Sequence, residues 1–286
     1  MTPTLSIRNL SLSFASWASQ VQVLRDISFD IAKGERVALV GESGSGKSVT
    51  ARIILGTLRE LSTARITGEV IFDGQDMSTL GAEPLRALRG TQMSMIFQDP
   101  TTALNPVFTI GAQFHEVLRR MDDKIGAEAA RARSAEILRE VSIDDTDRVL
   151  DSYPFQLSGG MNQRVMIGMA LINEPKLLLA DEPGTALDVT VQAQTLRLMR
   201  DLVADHGTSV LFISHNLGVV REFADRINVI YKGRIVETGP AQAIFDNPRH
   251  PYTQALLAAI PRLTGEGIPD IQEASDAFFD PMVRHE

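Results

Sequence analysis

The sequence predicts an α/β protein built on a parallel sheet, and three observations carry that expectation. Arg36–Val40 is a short apolar run that passes at once into a glycine-rich loop and then into a helical pattern. Leu177–Ala180 is an apolar run that ends on two carboxylates, Asp181 and Glu182. After Pro175 the pattern is strand, helix, strand: Lys176–Ala180, then Val189–Asp205 with Leu196, Met199, Leu202 and Val203 on one face, then Ser209–Ile213. Strands that alternate with helices of this length build parallel sheets.

The elements follow in order. Leu5–Phe14 and Val21–Ile31 show the period-two patterning of strands, and Ala32–Glu35 is a turn. Ser48–Leu58 is expected to be a helix, and Gly68–Phe72, closed by Asp73 and Gly74, a short strand. Between about residues 100 and 156 the character changes. Phe114–Arg120 and Ala127–Val141 carry helical periodicity with many Ala, Glu and Arg, which predicts a helical insertion, and Arg164–Leu171 continues as a helix. Ile227–Tyr231 and Arg234–Thr238 flank Lys232-Gly233 as a hairpin. Gln242–Phe245 and Thr253–Ile260 are short helices around Pro248 and Pro251, and the rest is expected to be a loosely ordered tail. There is no internal repeat.

Composition narrows the class. Of 286 residues, 44% are hydrophobic and 22% charged, so a packed core is expected. The absence of cysteine removes disulfides, thiolate metal sites and cysteine nucleophiles. The formal net charge of -8 argues against a protein that grips nucleic acid through phosphates. The start, MTPTLSIRNLSLSF, lacks the basic and apolar segments of a secretory signal. The longest apolar runs are strand-length, well short of the roughly 20 residues that span a bilayer.

The chemistry is concentrated in short motifs. Gly41, Glu42, Ser43, Gly44, Ser45, Gly46, Lys47 and Ser48 fit G-x-x-x-x-G-K-[ST], with Val49 following into the helix. Such a loop turns backbone N–H groups inward around phosphates, and the helix behind it points its positive end at the anion. In this pattern the lysine reaches the β- and γ-phosphates and the serine hydroxyl ligates Mg²⁺, which assigns those roles to Lys47 and Ser48. The ends of parallel strands line the ligand crevice, so Asp181 is expected as an Mg²⁺ partner and Glu182 as the base that takes a proton from attacking water.

The stretch between these motifs is more specific. Leu157-Ser158-Gly159-Gly160-Met161-Asn162-Gln163 resembles the LSGGQ-like signature of ABC ATPases. Gln98, in Met95–Pro100, resembles the family's Q-loop; Ala186-Leu187-Asp188 resembles its D-loop; His215, in Phe212–Asn216, resembles its switch histidine. The resemblance implies a P-loop NTPase of ABC type with an antiparallel β subdomain, a RecA-like parallel-sheet core and a helical insertion at about 99–160. It places the ATPase domain at 1–240 and an extension with a tail at 241–286. It implies ATP and Mg²⁺ as ligands, with Gln98 beside Ser48 and Asp181 at the metal. Glu182, His215 and Gln98 would serve hydrolysis. Ser158, Gly159, Gly160 and Asp188 would face the ATP held by a second ATPase subunit in a head-to-tail dimer. Phe14 and Trp17 are both candidates to stack on adenine, with Phe14 preferred.

FQDPTTALNPVFTIGAQ, TALDVTVQAQ and HPYTQALLAAIP resemble the D-type ATPases of dipeptide and oligopeptide importers, a group that includes nickel and glutathione systems. That implies two transmembrane permease subunits docked around residues 99–156, an extracytoplasmic solute-binding protein acting indirectly, and a peripheral place on the cytoplasmic face of the inner membrane. No nucleic-acid partner is expected; a DNA- or ribosome-acting relative would need a coiled coil, a zinc insertion or fused units. The pattern is broken at Gly184, where relatives have Thr, at Asn216, where Asp is usual, and at Asn162, where Arg is common. The tail lacks the cysteine cluster of some relatives, so no iron–sulfur cluster is expected.

Overall fold

A computed structural model describes residues 2–15, 20–184, 188–259, 278 and 281–285. The chain folds as two compact units, Met1–Thr79 with Leu211–Glu286, and Leu80–Val210.

The first unit opens with β1 (Leu5–Ala15) and β2 (Gln20–Ile31), followed by β3 (Arg36–Val40), α1 (Lys47–Ile54), β4 (Ala64–Phe72) and β5 (Gln75–Asp76). β2, β1, β4 and β5 form an antiparallel sheet in that order. Leu5, Ile7, Leu10, Leu12, Leu24, Ile27 and Ile31 are fully buried in it; the alternation changes phase between Ile7 and Leu10 and between Leu24 and Ile27, where Asn9 and Asp26 take positive φ. Two boundaries in this stretch differ from the sequence expectation by more than one residue. The first helix stops at Ile54 rather than Leu58 because Gly56, at φ 70°, takes the left-handed position just past the helix end. There the Gly56 N–H donates to Ile53 O and the Thr57 N–H to Arg52 O, the paired bonds of a Schellman stop. β4 starts at Ala64 rather than Gly68, because Ala64–Thr67 pair with Ser11–Phe14 of β1.

The second unit holds α2 (Ala82–Leu88), β6 (Met93–Ile96), α3 (Pro100–Ala103), α4 (Ile110–Leu118), α5 (Ala127–Glu140), α6 (Thr146–Asp151), α7 (Gly159–Leu171), β7 (Leu177–Asp181) and α8 (Val189–Asp205). β6 and β7 run parallel, Met93 opposite Leu177 and Ile96 opposite Ala180. The expected helical insertion is a packed layer. A methyl group at Gly168 of α7 would lie 3.6 Å from Ile137 and Val141 and 3.7 Å from Phe114, so α7 meets α5 and α4 closely over buried Phe114. Among the described residues no helix is long and apolar enough to cross a membrane.

The chain returns through β8 (Ser209–Ser214) to α9 (Leu217–Phe223), β9 (Arg226–Tyr231), β10 (Arg234–Pro240), α10 (Ala241–Asp246), α11 (Pro251–Ala258) and β11 (Val283–Arg284). β9 pairs parallel with β3 and antiparallel with β10 through the Lys232-Gly233 turn. Most of the expected tail, with Ile260 of the short helix, lies outside the described residues. Its described end is not loose: β11 adds to β10 in parallel, and Phe278 is buried. The anchor is Glu237 of β10, fully buried. It accepts hydrogen bonds from Arg249 N–H (2.8 Å) and His250 N–H (3.1 Å), and His285 Nε2 lies 2.6 Å from its Oε1.

Burial pushes the Glu237 carboxyl up, but the Thr253 hydroxyl, the Arg249 N–H, His285 and the His250 N–H pull it further down, leaving it below its ordinary value of 4.5. A depressed carboxyl stabilises the folded state above its unfolded pKa, and that contribution is lost as pH falls through the folded value. The β11 amides should therefore keep their protection at neutral pH and lose it selectively below the ordinary glutamate range. Hydrogen exchange at Val283–His285, corrected for intrinsic rates, measures this; β11 amides that stay protected in acid while the rest of the unit opens would contradict it.

Candidate nucleotide site

In the first unit, β3 delivers the chain into the loop Gly41–Lys47, and α1 begins directly behind it. Two positions admit only glycine. A Cβ at Gly41 would lie 2.1 Å from the Ile230 carbonyl oxygen. Gly46 sits at φ 105°, and a Cβ there would lie 2.5 Å from Leu24 Cδ2. Because Gly46 is the N-cap of α1, no side chain caps that helix, and its positive end faces the loop. Lys47 is buried, and its Nζ donates to the carbonyls of Gly41 and Glu42, both at 2.8 Å. Ser45 Oγ is buried with no hydrogen-bond partner. A backbone cradle, a buried ammonium, an uncapped helix start and an orphan hydroxyl together fit a polyphosphate.

The same unit carries His215, exposed in the turn after β8. Asn216 beside it caps α9, accepting from Gly218 N–H (3.1 Å) and Val219 N–H (3.4 Å). Asn caps as well as the usual Asp, so this departure leaves the turn intact. Phe14 is half-buried in β1, opposite Val21 of β2, the strand whose Leu24 touches Gly46. Trp17 lies outside the described residues. The 232–233 turn also braces the loop, since Gly233 N–H donates to Ser45 O at 3.1 Å.

In the second unit, β7 ends on Asp181, buried, and Glu182 follows at φ 49°. Left-handed backbone is costly for a non-glycine residue and collects at functional positions. Gln98 Nε2 donates to Glu182 Oε2 at 3.1 Å, so the Q-loop side chain and the proposed base are in contact. Gly184 is at φ 87°, a conformation that the family's Thr would find strained. Ser158 is the N-cap of α7, its Oγ accepting from Met161 N–H at 3.3 Å, and it keeps a hydroxyl proton to donate. Asp188 caps α8, accepting from Val191 N–H at 3.0 Å; Ala186 and Leu187 lie outside the described residues. A methyl at Gly160 would come within 3.1 Å of Val191 Cγ1. Ser158, Gly159, Gly160 and Asp188 line one cleft of about 660 Å³ with Arg148 and Arg164. Asn162, in place of the family's Arg, donates through Nδ2 to Pro154 O at 2.9 Å and holds the turn before the signature.

Sequence reasoning missed one contact at the phosphate loop. Tyr252 Oη, in the HPYT segment, accepts a 3.0 Å hydrogen bond from the Glu42 N–H. The motif itself was visible, but nothing local in the sequence ties residue 252 to residue 42.

Residues 24–185 match the ABC transporter family, and residues 236–277 match the oligopeptide/dipeptide transporter C-terminal region. The chain belongs to the ABC transporter family. It is 52% identical over 273 residues to "Peptidoglycan transport ATP-binding protein YejF" of Agrobacterium fabrum, covering 96% of this chain and 49% of that protein. The chain thus spans about half the length of that relative. It is 47% identical to "Oligopeptide transport ATP-binding protein OppD" of Bacillus subtilis, covering 93% of this chain and 74% of that protein. To "Dipeptide transport ATP-binding protein DppD" of the same organism it is also 47% identical, over 98% of this chain and 84% of that protein. Among solved structures it resembles the dimeric ATP-binding cassette MJ0796 bound to ADP and Pi, with a TM-score of 0.73 and 28% identity over 83% of this chain and 98% of that one.

Replacing Gly46 by Ala forces a left-handed alanine and a clash with Leu24 in the wall of the loop. ATP affinity should fall by about five- to thirtyfold, since the left-handed conformation costs roughly 1–2 kcal/mol. Titration of G46A with a fluorescent ATP analogue checks this.

Proposed function

We propose that this chain is the ATP-hydrolysing subunit of a di- and oligopeptide importer. It acts in a head-to-tail pair of ATPases at the cytoplasmic face of the inner membrane, under two transmembrane permease subunits that receive cargo from an extracytoplasmic binding protein. The observation that carries the reading is the loop around Lys47. Its buried ammonium, glycine-only cradle and uncapped helix start occur in a chain whose C-terminal region matches that of oligopeptide/dipeptide transporters.

The roles follow from residue chemistry. Gly41–Val49 cradle the triphosphate, and Phe14 offers its half-buried ring to adenine. Ser48, Gln98 and Asp181 supply the hard oxygen atoms that suit Mg²⁺. Mg²⁺ held by these residues would supply positive charge to offset the negative charge that builds during phosphoryl transfer. Glu182, held by Gln98, accepts the proton of the attacking water, and His215 contacts the γ-phosphate. Ser158, Gly159 and Gly160 turn toward the nucleotide of the partner ATPase, with Asp188 shaping the edge of that cleft. Val107, Phe108, Met121 and Phe155 are exposed in the 99–156 region, an apolar set suited to the cytoplasmic loops of a permease.

Lys47→Ala should weaken ATP binding and abolish uptake of labelled di- and oligopeptides in cells. Uptake that persists at the normal rate would sink the reading; loss of nickel or glutathione uptake alone would keep the motor and change its cargo. Glu182→Gln should bind ATP as before but hydrolyse it about 10²-fold more slowly or worse, the usual loss on removing a general base. Single-turnover hydrolysis in the purified complex measures that step.

A further inference from the structure

We infer that Tyr252 is a positioning residue of the nucleotide site: through its hydroxyl it fixes the Gly41–Glu42 peptide plane, and so the ammonium of Lys47. The inference rests on the ATP-binding reading above.

The Gly41 carbonyl and the Glu42 N–H belong to one planar peptide group, which rotates as a unit. Its carbonyl end accepts from Lys47 Nζ at 2.8 Å. Its amide end donates to Tyr252 Oη at 3.0 Å. Holding the amide end therefore holds the carbonyl end, and a donating N–H polarises its own carbonyl into a stronger acceptor. Tyr252 is itself immobilised. Its N–H donates to His250 Nδ1 at 3.1 Å in the first turn of α11. Its ring lies 4.3 Å, centroid to centroid, from that of Tyr231, and Phe278 meets it edge-on at 5.5 Å. Burial pushes the phenol up to about 12, so the neutral hydroxyl is the form that accepts the bond. A phenylalanine at this place would keep the ring stack and delete only the acceptor.

The test compares Tyr252→Phe and Phe278→Leu with the wild-type chain. ATP affinity comes from calorimetry and folding stability from thermal unfolding without nucleotide. Tyr252→Phe should raise the Kd for ATP about fivefold, the equivalent of one lost hydrogen bond of roughly 1 kcal/mol. Phe278→Leu loosens the stack but leaves the hydroxyl bond; it should lower the melting temperature while the Kd stays within about twofold. An unchanged Kd in Tyr252→Phe, or an equal rise in both variants, would reduce Tyr252 to packing and overturn the inference. A wild-type chain that binds no ATP removes the site reading and this inference together. Should Tyr252→Phe not fold, the Glu42 amide of the wild-type chain decides. Slow hydrogen exchange there without nucleotide supports the bond, and exchange at the rate of a free loop overturns it.

Discussion

A buried ammonium has to be surrounded by acceptors, and the Lys47 side chain imposes that condition on the first unit. Removing a charge from water is costly unless hydrogen bonds replace the lost hydration. The Gly41 and Glu42 carbonyls replace part of it, which fixes the loop's path and leaves no room for a side chain at Gly41 against the Ile230 carbonyl. β9 must lie beside β3 for Ile230 to reach that point, and its hairpin with β10 must turn at 232–233 for Gly233 to bond Ser45. The parallel pairing, the tight turn and the glycine pattern are thus consequences of one requirement, that a cation be held at the mouth of a loop.

The second unit solves a different problem with the same vocabulary. Each helix start leaves N–H groups without partners, and Ser158 and Asp188 satisfy one apiece at α7 and α8. Both caps border one cleft, yet they are not equivalent toward an anion. The serine keeps a proton to donate, whereas the aspartate brings negative charge. Of the two caps only Ser158 can therefore donate to an anion in that cleft, while the carboxylate of Asp188 secures the start of α8, where Val191 packs against Gly160.

What was legible in the sequence was local. The apolar runs at Arg36–Val40 and Leu177–Ala180, the two-residue hairpin turn and the loop glycines declare themselves within a few residues. The first helix was overrun because its periodicity continues to Leu58 while its end depends on the backbone of Gly56. The start of β4 depends on a partner strand at least fifty residues upstream, because the alternation of Ala64-Arg65-Ile66-Thr67 runs for only four residues before Gly68. β11 has two residues, too few for any period, and it forms because Glu237 and β10 receive it. The catalytic motifs could be read residue by residue, but the Gln98–Glu182 contact and the caps at Ser158 and Asp188 emerge only once the loops are folded.

The C-terminal region gains a physical meaning from these long-range links. A fully buried carboxylate such as Glu237 is tolerable only when several donors converge on it, and they come from the 249–250 turn and from His285. That convergence holds β11 and α11 against the sheet, and α11 in turn sets Tyr252 against the phosphate loop. A segment whose only task was to decorate the surface would need neither a buried charge nor an aromatic triad of Tyr231, Tyr252 and Phe278. Both devices cost desolvation and ordering, and they meet at the start of α11, where the His250 N–H donates to Glu237 and His250 Nδ1 accepts from the Tyr252 N–H. The extension is therefore continuous, through side-chain contacts, with the element that holds Lys47, and what it delivers to the loop is the hydroxyl bond of Tyr252 rather than the packing of Phe278.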